Sequence, residues 1–383
     1  MPERKFALKE KNELIACRRK TSIGGQALME GIMMRGPEMT AMAVRNTKGE
    51  IVVEEFETKS AKRPAICRWP IIRGVFGYID SMVLGYKCMM RSAEISGLED
   101  IVEEKPKKAK KGDAAEAVTS AEADATPEEK TATVAATAQS DGDAEGTAAE
   151  AAKDEEKLPA WVMTLTMVFS LVLGIGLAIA LFLFLPTFLF NLAADHIGFL
   201  QGENVLLNSF IKSAFEGILR VLLLVGYMAA ISLMKEIRRT FMFHGAEHKC
   251  IFCYEAGLEL TVENVRKMRR FHPRCGTSFL ILMVLVSIFV SFFIDPISVA
   301  VSGNVLPTVL RMLVKLLLIP VIVGLGYELI KFAGRHDNWF TRVISAPGVW
   351  LQHITVFEPT DGMIECAITA LKRVIPENGS DKW

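Results

Sequence analysis

The chain has 383 residues, 51% of them hydrophobic, with 44 basic and 44 acidic side chains and seven cysteines. That length allows more than one structural unit, and a net charge of zero excludes the basic bias of a nucleic-acid binder. An odd number of scattered cysteines offers no disulfide framework, so reduced thiols are expected. A charged start without an early apolar run argues against a cleavable signal peptide.

Residues 1–104 read as a small α+β domain. Residues 42–45 and 51–56 alternate like strands around Asn46, Thr47, Lys48 and Gly49, a hairpin-turn sequence. Residues 78–95 have helical apolar spacing suited to the membrane surface or to packing against spans. The glycine-rich run from Gly24 to Gly36 holds Glu30 and Arg35. It lacks the Gly-Lys-Ser/Thr ending of a phosphate loop, so it reads as a turn, with Glu30 as a candidate second carboxylate. Residues 105–157 contain almost no large apolar side chain and read as a disordered acidic linker, too poor in burial to offset ordering.

Four apolar runs follow, at about residues 161–185, 210–234, 278–294 and 305–332, each near the roughly 20 residues a bilayer crossing needs. The first and third are too continuously apolar for a soluble core, and Pro320 predicts a kink in the fourth. The fold class expected is therefore an α-helical integral membrane protein of about four spans within residues 158–346. Lys and Arg crowd residues 235–274 and are missing from 186–209 and 295–310. The basic loop, residues 235–277, and both termini should then face the cytoplasm. Residues 347–383 read as a cytoplasmic strand-helix segment, extended over 347–357 and helical over 361–374.

The chemistry concentrates in the basic loop. His244 and His248 are one helical turn apart, about 40° around the axis, with Glu247 on the flank. In that geometry two imidazoles share one cation and a carboxylate stands beside the water it would activate. The His-x-x-Glu-His order also matches the inverted zinc-peptidase motif, in which the Glu is a general base. Cys250 and Cys253 point to the other side and read as buried thiols rather than ligands. His272 and Cys275 form a second half-site, because Pro273 and Gly276 make a tight knuckle able to aim both side chains at one point. All four ligands would close a tetrahedral zinc shell, whereas three of them plus water would leave it open for catalysis. A plainer alternative has Glu247 and the histidines only bridging the loop to the membrane surface. Glu328, one turn from the inner end of the fourth run, is placed to approach the histidines as a ligand or proton carrier.

A second polar group lies inside the apolar runs. Lys212, Glu216 and Arg220 follow at i, i+4 and i+8, and Arg311 and Lys315 are four apart. At similar depth they should pair, Glu216 with Arg311 or Lys315, because unpaired charge there is costly. Such pairs either fix helix packing, the reading weighed higher, or line a transport path. A transporter of four spans would need a homo-oligomer.

The runs from Gly24 to Arg35, His244 to Lys249 and His272 to Ser278, with Tyr327-Glu328-Leu329, Pro347 to Gln352 and Glu358-Pro359, resemble the YqhQ-like bacterial membrane proteins. The resemblance covers nearly the whole chain outside the acidic linker. That family is of unknown function and is described as metal-dependent. The resemblance therefore implies the architecture and a metal site at His244, Glu247, His248, His272 and Cys275, with Glu30 and Glu328 matching as well. It names no substrate, and Cys250 is outside its pattern. The leading expectation is a membrane hydrolase using a divalent metal, zinc, held by His244, His248, His272 and Cys275. Glu247 would be its base, and its substrate a membrane peptide or lipid. The rival is a non-catalytic scaffold or regulator with a structural zinc site.

Overall fold

The computed structural model describes residues 20–58, 64–97, 160–196, 204–336 and 338–382. The acidic linker expected at 105–157 lies outside the described residues. The chain divides into two units, residues 105–174 and the remainder. Of the first, only the helical stretch from residue 160 is described.

Strands β1 (Gly24–Leu28), β2 (Gly31–Arg35), β3 (Met39–Arg45) and β4 (Ile51–Glu57) form one antiparallel sheet in the order β1-β2-β3-β4. The β3–β4 turn is the expected one: Asn46 Oδ1 accepts from the Lys48 and Glu50 amides at 3.0 and 2.9 Å, and Gly49 takes φ +86°. Alternation along the strands gives the sheet two apolar faces. Leu28, Met33, Met42 and Val44 meet Cys88 and Leu84 of helix α1 (Ile72–Ser96). Ile32, Met34, Ala41 and Ala43 join a second core with residues of two later helices, Lys235–Glu255 and Asp361–Val374. The N-terminal sheet therefore does not stand alone, because a sheet apolar on both sides needs a cover on both.

Helix α2 (Ala160–Ile179) runs through a π-turn at Ala180–Phe184 into α3 (Leu185–His196). Then come α4 (Val205–Ser232), α5 (Lys235–Glu255), α6 (Val262–Arg266) and α7 (Gly276–Ser302). The last four are α8 (Thr308–Leu317), α9 (Ile319–Arg335), α10 (Trp339–Thr355) and α11 (Asp361–Val374). Three helical stretches, Val168–His196, Val205–Ser232 and Gly276–Ser302, are long and apolar enough to cross a membrane. The pair α8 and α9, bent by 45°, is a fourth if taken as one span, and the bend sits just before Pro320. Large apolar side chains on these helices, among them Leu177, Leu222, Phe289 and Val309, are exposed.

Two expectations need correction. The first apolar run was expected to end at about residue 185, but the helix continues through Pro186 to His196. A proline inside a helix denies a hydrogen bond to the carbonyl four residues back. Here that carbonyl belongs to Phe182, in the π-turn, and it accepts instead from Arg220 Nε at 2.9 Å. Residues 347–355 were expected to be extended, but they are the second half of α10, with Pro347 inside the helix. Asn338 and Thr341 start α10 with a capping box, and Gly348, Leu351, Gln352 and Thr355 bury one helical face. Packing overrides the proline because Gly348 lies directly on α7. A Cβ at this position would sit 2.4 Å from Ser278 Cβ and 2.7 Å from its Cα. Gly348→Ala should therefore destabilise the protein by about 1–3 kcal/mol, read as a lowered thermal unfolding midpoint in detergent. An unchanged midpoint would contradict this contact.

Candidate metal centre

Helix α5 starts after a break at Met234, whose ψ of 131° separates it from α4, and stops at Glu255, where Gly257 takes φ +72°. From Phe243 to Glu255 every residue is buried. Small residues let the backbone pack this closely: a Cβ on Gly245 would lie 2.0 Å from the Phe357 carbonyl oxygen. Burial on all sides means that each polar group needs a partner.

The His244 and His248 rings lie 4.4 Å apart, centroid to centroid. His244 Nδ1 lies 3.1 Å from the Thr355 carbonyl oxygen at the end of α10, and His248 Nδ1 lies 2.5 Å from that of Arg270. Donation from each Nδ1 to its carbonyl fixes the tautomer in which Nε2 is free as a ligand. Cys275 arrives from the other side as N-cap of α7, with Sγ 3.0 Å from His244 Nε2 and 3.2 Å from Thr277 Oγ1. One donor atom from each of His244, His248 and Cys275 lies within 4.8 Å of the others, and all three residues are buried. His248 Nε2 is buried with no hydrogen-bond partner among the described residues. An orphaned imidazole nitrogen facing a second imidazole and a thiol fits a divalent metal of zinc type, which takes N and S donors.

The electrostatics favour a thiolate at Cys275 and a proton on His244 that metal binding would have to displace. Burial disfavours the Cys275 thiolate, but the His244 and His248 rings outweigh it and hold the thiol well below its usual range. Burial also disfavours the His244 imidazolium, yet Cys275 and Glu247 raise it to about 9. Glu247 is pushed above the ordinary carboxylate range by burial, with His244 and His248 pulling back only part of the shift. Its Oε1 accepts from the Gly25 amide of β1 at 3.0 Å.

His272 lies alongside rather than within the three-residue group. Its ring is 5.5 Å from that of His248, Nδ1 accepts from the Arg274 amide at 3.3 Å, and Nε2 lies 4.0 Å from Glu255 Oε2. Burial and then the neighbouring His248 and Arg274 push it well below the usual histidine range. The other two candidate carboxylates are engaged elsewhere. Glu30, at the β1–β2 turn with φ 52°, pairs through both oxygens with Arg239, one contact being 2.7 Å. Glu328 does the same with Arg73 of α1, at 2.7 and 2.5 Å. Cys250 and Cys253 are buried thiols in the core of α5 and α11, away from the donor group.

Sequence reasoning missed Gln352. Its Nε2 donates to the His272 carbonyl at 2.6 Å and to Ser278 Oγ at 3.0 Å, and its Oε1 accepts from the His272 amide at 2.7 Å. It clamps the knuckle that carries Cys275 onto α10. A buried glutamine one turn before Thr355 was a signal, but it was concealed by reading 347–357 as extended.

The family described as a protein of unknown function (DUF1385) matches residues 69–377. The chain is 29% identical over 354 residues to the "Uncharacterized protein YqhQ" of Bacillus subtilis (strain 168), covering 92% of each. No solved structure matches it significantly.

Metal analysis of purified variants separates the ligands from their neighbour. His248→Ala and Cys275→Ala should each lose bound zinc almost completely, while His272→Ala should keep most of it. Equal loss in all three would make His272 a ligand and close the shell.

Proposed function

The chain belongs to the DUF1385 family of proteins of unknown function, and from that premise we propose that it is a membrane-embedded, metal-dependent hydrolase. Its zinc centre is held by His244, His248 and Cys275. The single observation that carries this reading is the buried, partnerless His248 Nε2, which converges with His244 Nε2 and Cys275 Sγ. Three protein donors leave a fourth position for a reactant, the pattern of catalytic rather than structural zinc. When bound, the metal supplies Lewis acidity, polarising a carbonyl or phosphoryl group and making water a nucleophile near neutral pH.

The chain's own groups do the rest. Thr355 and Arg270 orient the two imidazoles through their carbonyls, and the α7 N-terminus favours the Cys275 thiolate. Glu247, one residue before His248 on the same buried turn, takes a proton from the attacking water and returns it to the leaving group. Gly25 holds one of its oxygens in place.

Membrane placement is supported by the three long apolar helices and the bent pair, and by their exposed apolar flanks. The Lys and Arg residues of 235–274 favour a cytoplasmic location for α5 and its donor group. The substrate is then a membrane-associated peptide or lipid reached from that side.

A structural zinc site is the second reading, favoured by how tightly the centre is wrapped: a Cβ on Gly25 would sit 3.0 Å from Glu247 Cδ. Glu247→Gln separates the two. As a proton carrier its loss should cost about 10²- to 10⁴-fold, so the variant should keep its zinc and fail to complement a strain lacking the wild-type chain. Full complementation with zinc retained would leave the structural reading standing.

A further inference from the structure

A cavity of about 230 Å³ lies between α4, α7 and the α8–α9 pair, roofed by Phe182 and Leu183 of the π-turn. Its walls are almost wholly apolar, with Val290, Ile294 and Ile322 among them, yet Arg220 and Lys315 open into it. Two breaks in helical regularity meet there. One is the π-turn just before Pro186, and the other is the bend at Leu318, which also lines the cavity. Irregular backbone at membrane depth persists where it borders a cavity or a site.

The charge around the cavity does not balance. Among the described residues, Lys212, Arg220, Arg311 and Lys315 face the two carboxylates Glu216 and Asp295. Arg311 is matched by Asp295 at 2.8 Å. Glu216 alone serves both Arg220 Nη2, at 3.1 Å, and Lys315, while also accepting from Thr187 at 2.9 Å. Lys212 has the neutral Asn191 Oδ1 at 3.2 Å. Next to the cavity, Arg311 Nε and Asp295 Oδ1 are buried with no partner among the described residues. Uncompensated cations within an apolar wall attract an anion, and the wall selects one that carries a chain.

We propose that this cavity binds a net-anionic amphiphile, its phosphate or carboxylate head at Arg220 and Lys315 and its chain against Val290, Ile294 and Ile322. A phospholipid is the source that fits both halves of the site. The proposal rests on the membrane placement argued above and is independent of the metal centre. Recovery of the protein from the membrane fraction tests that placement separately.

Native mass spectrometry of the full-length, detergent-purified protein tests the site. The probes are phosphatidylglycerol, phosphatidylcholine with the same acyl chains, and inorganic phosphate. One phosphatidylglycerol should be held about tenfold or more tightly than phosphatidylcholine, and inorganic phosphate should not displace it. Ser287→Phe, which fills the cavity and leaves every charge in place, should reduce that retention to the phosphatidylcholine level. Lys315→Met should do the same. If Lys315→Met does not fold because Glu216 loses a partner, Ser287→Phe and the wild-type lipid comparison still decide. Equal retention of the two lipids, undiminished phosphatidylglycerol binding in Ser287→Phe, or displacement by inorganic phosphate at equal concentration would overturn the proposal.

Discussion

A fully buried stretch of helix that carries two imidazoles, two carboxylates and an ammonium group must find a partner for each, because an unpaired polar group away from water costs as much as several good contacts return. Helix α5 meets this constraint by drawing distant parts of the chain to itself. Lys249 is taken by the Arg266 carbonyl and Glu358, and Glu255 by Arg274 and the Thr21 amide. Glu247 is taken by Gly25 of β1, and His244 by the last carbonyl of α10. Sheet, knuckle and C-terminal helices are thus all tied to one helix. Against so complete a set of partners, the empty Nε2 of His248 stands out. A metal ion shared with His244 and Cys275 would complete it.

The same accounting links the apolar helices to the His244, His248 and Cys275 group. Gly348 brings α10 directly onto α7, and Gln352 of α10 bonds both Ser278 on α7 and the backbone of His272. The element that seats α7 therefore also sets the knuckle from which Cys275 reaches the histidines. At α1 the contact is similar: Gly74 lies against Tyr327, and Arg73 pairs with Glu328 on α9. Through that ion pair Glu328, one of the candidate carboxylates, ties α1 to α9.

Local patterns were readable from the sequence, and long-range partners were not. The Asn46–Gly49 turn, the helix at α1 and the bend before Pro320 all follow from turn chemistry, apolar spacing or a missing amide. One turn's separation put the His244 and His248 rings together and turned Cys250 and Cys253 into the core. Glu30 and Glu328 pair with Arg239 and Arg73, more than 200 residues away in each case, and no local pattern encodes such a choice. Asp295, the counter-charge to Arg311, sits at the end of an apolar run, where it reads as a boundary. The two misread prolines have one cause. Pro186 and Pro347 are breakers by local rules, but at each the surrounding helices supply what the proline removes: a guanidinium for the freed Phe182 carbonyl, and close packing on α7 for α10.

The proposed hydrolase requires that His244, His248 and Cys275 hold a metal with one position left open. X-ray absorption at the zinc edge of the purified full-length protein tests it most directly. One sulfur at about 2.3 Å and two imidazole nitrogens at about 2.0–2.1 Å are expected, with a fourth light donor that exogenous anions replace. A closed shell of three imidazoles and one sulfur, two sulfurs, or no stoichiometric zinc at all would contradict it.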